Sequence, residues 1–161
     1  MLRLLFDLFL TGPFPRAGAE SRIPSALLPA LDHVRHAWKR EGVRSVRVPE
    51  LAAAAGMSQG HFSRSFTNEF GCGPATALEL VRLARAATSL QRSNLSISEI
   101  ARHHGFADAY HFSKRFVAAY HLPPGRFRRS GDSADPQAVL AAHGLLTLWA
   151  SLTTDSSSTQ P

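Results

Sequence analysis

One short pattern occurs twice in this chain. His61-Phe62-Ser63-Arg64-Ser65-Phe66 and His111-Phe112-Ser113-Lys114-Arg115-Phe116 share the order His-Phe-Ser-basic-X-Phe at an offset of 50. The likeness continues upstream, where Glu50-Leu51-Ala52 pairs with Glu99-Ile100-Ala101 and Gly56 with Gly105, both at an offset of 49. Downstream, Pro74 pairs with Pro124, again at 50. Two copies of a unit of about 25 residues therefore organise the chain. The second copy has one extra residue in its turn. Two copies do not make a solenoid.

Each copy reads as helix, tight turn, helix. In the second, Ser96-Ile97-Ser98-Glu99 is a capping box: Ser96 accepts from an orphan backbone N–H and Glu99 reaches back. In the first, Pro49 suits an opening turn, where its missing N–H costs little. The first short helix is expected from Pro49 to Ala55 and its repeat from Ile97 to His104. Gly56 and Gly105 follow at the point where a helix ends with positive φ. Ser58 and Asp108 then cap the second helices, expected over Gln59 to Phe70 and Ala109 to Tyr120. On these helices Phe62, Phe66 and Phe70, and likewise Phe112, Phe116 and Tyr120, recur every four residues as one narrow core-facing stripe. The opposite faces hold Gly60, Ser63, Arg64 and Thr67, and Tyr110, Ser113, Lys114 and Val117. A small polar or basic outer face suits entry into a DNA major groove. The plainer alternative is an ordinary solvent face, and repetition at matched positions favours the groove.

Charge points the same way. Lys plus Arg number 18 against 12 acids. From Pro24 to Ser130 there are 15 basic and 7 acidic residues, and the two flanks together hold 3 and 5. A basic middle between neutral or acidic ends fits a polyanion binder.

Other segments frame the repeat. Pro74 to Ser93 reads as one longer helix, with Ala77, Leu78, Val81, Ala84 and Leu90 inside and Arg82, Arg85 and Arg92 adding charge. Ser25 to Glu41 reads as a helix with Leu27, Leu31, Val34 and Trp38 on one face. Pro123-Pro124-Gly125-Arg126-Phe127-Arg128-Arg129 opens a short basic helix suited to phosphate. Residues 25–130 are thus expected as the working domain, residues 1–24 as a linker or the remnant of an upstream domain, and residues 131–161 as an extra apolar helix, Pro136 to Leu152, with a polar tail. That helix is too short to span a membrane, so docking on the domain or self-association is the expectation. Leu4 to Leu10 is short and broken by Asp7, which favours a stub of helix over a secretory signal. The single cysteine, Cys72, makes no intrachain disulfide and no zinc site of usual ligand count, which fits a reducing, cytoplasmic compartment. His103-His104 reads as plain helix surface, since no third ligand is spaced to make a metal site.

From Leu28 to Arg129 the chain resembles the DNA-binding domain of the AraC/XylS family of bacterial transcriptional regulators. The resemblance runs through Glu50-Leu51-Ala52, Gly56-Met57-Ser58, Phe62 to Phe66, Gly71, Pro74, Arg82-Leu83, Ile97 to Ala101, Gly105-Phe106, Phe112 to Phe116, Pro124 and Phe127-Arg128. It implies an all-α domain of about seven helices, in which a central linker helix joins two helix-turn-helix subdomains that enter adjacent major-groove segments. It also implies transcription control, usually activation through contact with RNA polymerase. The base-reading positions it implies are Gly60, Ser63 and Arg64 in the first unit, and Ala109, Tyr110, Ser113 and Lys114 in the second. Phosphate contacts are expected from His61, Thr67, Arg82, His111, Arg126, Arg128 and Arg129. No cofactor, metal or catalytic residue is implied. The chain departs from the family in three ways: Gly60 has no side chain, Phe127 stands where tyrosine is common, and Met1 to Leu10 resembles at most the last helix of an upstream effector domain.

Two other classes compete. Some DNA-repair proteins join such a unit to methyl transfer, but that chemistry needs activated cysteines with metal or base partners. Only Cys72 is present, so no enzyme is expected. The other is a truncated regulator acting mainly as a protein-interaction module with weak, unselective DNA binding. Gly60 and the outward Val117 favour it; the basic middle opposes it.

Overall fold

The computed structural model describes residues 23–153, so the expectations for residues 1–22 and for the tail after Thr153 fall outside the described residues. Every regular element among the described residues is helical. A 3-10 turn at Ser25–Leu27 leads into α1 (Leu28–Glu41). Then come α2 (Val48–Ala54), α3 (Gln59–Phe70) and the long α4 (Pro74–Arg92). The second unit is α5 (Ile97–His103), α6 (Ala109–Tyr120) and α7 (Pro124–Ser130). Two short helices close the described chain, α8 (Ala138–Ala142) and α9 (Leu146–Thr153).

Local chemistry sets these boundaries. The Ser58 side chain accepts from the His61 N–H at 3.3 Å, and Asp108 accepts from the His111 N–H at 2.7 Å. The capping box forms both ways: the Glu99 N–H donates to Ser96 Oγ at 3.2 Å, and the Ser96 N–H donates to Glu99 Oε2 at 2.7 Å. Gly56 and Gly105 both adopt positive φ, +64° and +71°.

The core is continuous across both units. Phe62, Phe66 and Phe70 of α3 are buried, as are Phe112 and Phe116 of α6. In the second unit the rings interlock. Phe116 stacks on Tyr120 at 4.5 Å and meets the edge of Phe127 at 5.3 Å. Such offset and edge contacts add roughly 0.5–1.5 kcal/mol per pair beyond area burial. The α1–α2–α3 group forms one lobe, α5–α6–α7 the other, and α4 packs against helices of both.

The C-terminal segment departs from expectation. One helix over Pro136 to Leu152 does not form; the chain breaks at Gly144, whose φ is +67°. Glycine there permits a tight left-handed turn that a continuous helix lacks. Two short helices then reach different neighbours. Helix α8 packs on α4 and α6, while α9 packs on α1. Val139, Leu140, Leu145, Leu148 and Leu152 are buried in doing so. Between the alternatives of docking and self-association, these side chains are committed to docking. Gln91 holds the approach by donating to the Gly131 and Ala134 carbonyls, both at 2.6 Å. The Tyr120 hydroxyl donates to the Pro136 carbonyl. No helix among the described residues is long and apolar enough to cross a membrane.

Candidate nucleic-acid interface

Burying the Phe stripe of α3 and of α6 decides what each helix shows to solvent. At 100° per residue, Gly60, Arg64 and Thr67 lie opposite Phe62 and Phe66, and all three are exposed. Ser63 is half-buried beside them and His61 is exposed at their flank. The same positions of α6 hold Tyr110, Lys114 and Val117, all exposed, with Ser113 half-buried and His111 exposed. Ala109, at the first turn, is half-buried. The expected base-reading residues thus gather on two equivalent faces.

The cations on these faces are unspent. Among the described residues no carboxylate pairs with Arg64 or Lys114. A Cβ built on Gly60 would sit 3.5 Å from Arg64 Nη1, so this guanidinium lies back along the helix over the glycine. Long helical side chains lean toward the N-terminus in this way. Arg129 leans likewise toward Gly125. Arg126 and Arg129 are both exposed on α7.

Acidic side chains are used elsewhere. Glu41 pairs with Arg40 and Arg44 at 2.9 and 2.7 Å, and Glu50 pairs with Arg47 at 2.8 Å. Hydrogen bonds from Arg40 and then Arg44 hold the Glu41 carboxyl below its ordinary range; the bond from Arg47 does the same for Glu50. Glu79 pairs with Arg115, so Arg115 is not free for an anion.

Two expected phosphate ligands have other work. Arg82 is buried, at 7% exposure. Its Nη1 donates to the Gly105 carbonyl at 2.7 Å and the His104 carbonyl at 3.3 Å, and its guanidinium lies 4.6 Å over the Phe106 ring. It ties α4 to the turn of the second unit and cannot reach a phosphate from there. Burial lowers its pKa, and Glu79 offsets part of that. Arg128 is half-buried and donates to the Leu90 carbonyl at 3.1 Å and to the Leu95 carbonyl. It closes the end of α4 instead of facing solvent.

A third residue, besides Arg82 and Arg128, differs from its sequence-based expectation. His104 is not helix surface but buried, with Nε2 at 2.9 Å from Ser89 Oγ and Nδ1 without a hydrogen-bond partner. Burial, reinforced by Arg85, His103 and Arg82, lowers its pKa to about 4, so it is neutral near pH 7. Arg82 was legible in principle: it lies four residues after Leu78 and four before Ala86, on the inner face of α4. Cys72 is half-buried, and burial raises its thiol pKa, the reverse of what an activated nucleophile needs. Among the described residues no three His, Cys, Asp or Glu side chains group to hold a metal ion.

This geometry matches known proteins. A family model described as "Helix-turn-helix domain" matches residues 51–130. A crystal structure described as a transcriptional regulator with an AraC-type DNA-binding domain, from Chromobacterium violaceum, superposes with a TM-score of 0.57 at 24% identity, covering 65% of this chain and 90% of that one. The chain carries an AraC-family helix-turn-helix domain. The C-terminal domain of AraT, a response regulator from Geobacillus stearothermophilus, superposes with a TM-score of 0.56 at 27% identity, over 65% of this chain and 87% of that one. The regulator MtrA of Neisseria gonorrhoeae is 33% identical over 84 residues, which is 52% of this chain and 28% of MtrA. The chain spans only 28–35% of the length of MtrA and of two further regulators of this type. The helix-turn-helix family match ends at residue 130, so α8 and α9 lie beyond it.

Proposed function

We propose that this chain binds double-stranded DNA sequence-specifically, inserting α3 and α6 into adjacent major-groove segments to control transcription. One observation carries the reading. Two helices at equivalent repeat positions expose equivalent faces, each centred on a cation that no carboxylate pairs among the described residues, Arg64 and Lys114. Arg64 suits a guanine edge through two parallel hydrogen bonds; Lys114 offers a point charge for the same acceptors. Ser63, Ser113, Ala109, Tyr110 and the open surface at Gly60 complete the base-facing set. His61, Thr67, His111, Arg126 and Arg129 flank it for phosphate. Residues 25–130 supply this reader, and activation through RNA polymerase is the sign of control that the family resemblance implies.

The test is selection of bound sequences from a random duplex library with the full chain at near-physiological salt. Enrichment of two short motifs about one helical turn apart, roughly 34–36 Å, supports the reading. Weak, salt-sensitive and unselective binding overturns it, and would favour a protein-interaction role.

A further inference from the structure

Four large apolar side chains stand exposed among the described residues: Leu28, Tyr110, Val117 and Leu146. Two of them share one stripe of α6. Tyr110 and Val117 are seven residues apart, which returns them to within about 20° of each other around the helix. Lys114 lies on the same stripe between them. Tyr110 is 78% exposed and Val117 40%. The buried rings of Phe112 and Phe116 occupy the other side, which leaves this pair exposed among the described residues.

The repeat supplies an internal comparison. The corresponding residues of α3 are Gly60, Arg64 and Thr67. Both units keep the central cation, and the groups flanking it change from glycine and threonine to tyrosine and valine. In the major groove only thymine presents an apolar group, its C5 methyl. Cytosine, guanine and adenine present donors and acceptors that valine and a tyrosine ring face do not satisfy.

We propose that Tyr110 and Val117 read thymine methyl groups in the half-site of α6, so that the two half-sites differ in chemical kind. The half-site of α3 is read through Arg64 as guanine. The half-site of α6 is read by apolar contact on both sides of Lys114, over about 10 Å of helix at 1.5 Å per residue. The occupant is a DNA edge because the apolar pair brackets a lysine with no acidic partner among the described residues, next to the exposed His111, and the adjoining helix α7 exposes Arg126 and Arg129. A protein partner seated on the same stripe would need an acid for Lys114. This inference rests on the reading of the chain as a major-groove binder.

The experiment starts from the selected bipartite site. Each thymine of the α6 half-site is replaced by deoxyuridine, which keeps base pairing and removes only the methyl. Affinity of the full chain should fall about fourfold per contacted methyl, the factor that corresponds to one buried methylene. Deoxyuridine in the α3 half-site should leave affinity unchanged. Val117→Asn should bind thymine more weakly and respond less to deoxyuridine than the native chain, because it keeps the size and loses the apolar contact; Tyr110→Ser should do the same at its own base. Both residues are exposed, so the variants keep their core. An unchanged affinity on deoxyuridine substitution overturns the inference, as does an equal deoxyuridine response in the variants and the native chain. In either case the bipartite site still stands as support for the DNA reader. Failure to select any site overturns both.

Discussion

Gly56 and Gly105 close equivalent turns, and replacing each with alanine isolates one packing contact. Both glycines adopt positive φ, +64° and +71°, so alanine at either incurs the left-handed penalty of about 1–2 kcal/mol. Their surroundings differ. A Cβ on Gly56 meets nothing within 4 Å. A Cβ on Gly105 would lie 2.6 Å from Arg44 Cα and 2.8 Å from the Val43 carbonyl oxygen. Both are backbone atoms that no rotamer change moves aside, so the chain at Val43-Arg44 must shift. Forcing extra volume into a packed site costs about 1–3 kcal/mol more. Gly56→Ala should therefore lose about 1–2 kcal/mol and Gly105→Ala about 2–5 kcal/mol. Urea denaturation of the full chain, followed by far-UV circular dichroism, measures both. Equal losses would refute the reasoning, because they would mean that the approach of residues 43–44 does not require glycine at 105.

Further outcomes follow from the same contacts. Arg82→Ala should lower stability by about 1.5–3 kcal/mol, the range for hydrogen bonds from a charged donor, and leave the salt dependence of DNA binding unchanged. Arg129→Ala should do the reverse, keeping stability and reducing the slope of log affinity against log salt by about 1. His104 is held neutral in the fold, with its pKa lowered from 6.5 to about 4. Its contribution is full above pH 6.5 and is lost as pH falls toward 4, because the unfolded chain then binds the proton first. At 1.36 kcal/mol per pH unit the loss is about 3 kcal/mol, and His104→Gln should flatten that part of a urea stability profile between pH 7.5 and 4. Leu148→Ala should cost about 2–5 kcal/mol in the same denaturation assay if α9 is part of the core. Arg64→Ala and Lys114→Ala should reduce discrimination between the selected site and single-base variants, by about 1–3 kcal/mol at the base each reads.

Local signals made the two helix-turn-helix units legible. Ser58, Asp108 and the Ser96–Glu99 box act through side chains three residues from the N–H groups they serve, so sequence spacing alone carried the information. The Phe stripes were legible because one period of four placed every ring on one side. Reading failed where a residue's role depends on a distant chain segment. Arg82 counts as basic, yet its partners are carbonyls 22 and 23 residues away. Arg128 reaches back 38 and 33 residues. Both looked like phosphate ligands because local pattern records charge and not commitment. A glycine at 144 weakens a helix by only about 1 kcal/mol relative to alanine and does not by itself announce a break, since the apolar residues continue past it and the neighbours on which α8 and α9 pack are remote in sequence.

The two units share a sequence pattern but are not held alike, and the difference bears on how the reader works. Helix α4 grips the second turn through Arg82 and Ser89, using the His104 and Gly105 carbonyls and the His104 ring. Arg128 and Gln91 fasten the other end of α4 to the segments around α7. Among the described residues no comparable hydrogen bond joins α4 to the turn at Gly56, and Gly71 and Gly73 flank the joint between α3 and α4. The first unit instead gains a contact from outside the repeat, because α9 packs on α1 while α8 sits on α4 and α6. The apolar C-terminal segment thus links the first lobe to the second. If α3 and α6 enter DNA as proposed, this second connection would hold their separation more firmly, since a single helical linker with glycines at one end resists bending less than a linker closed by packing.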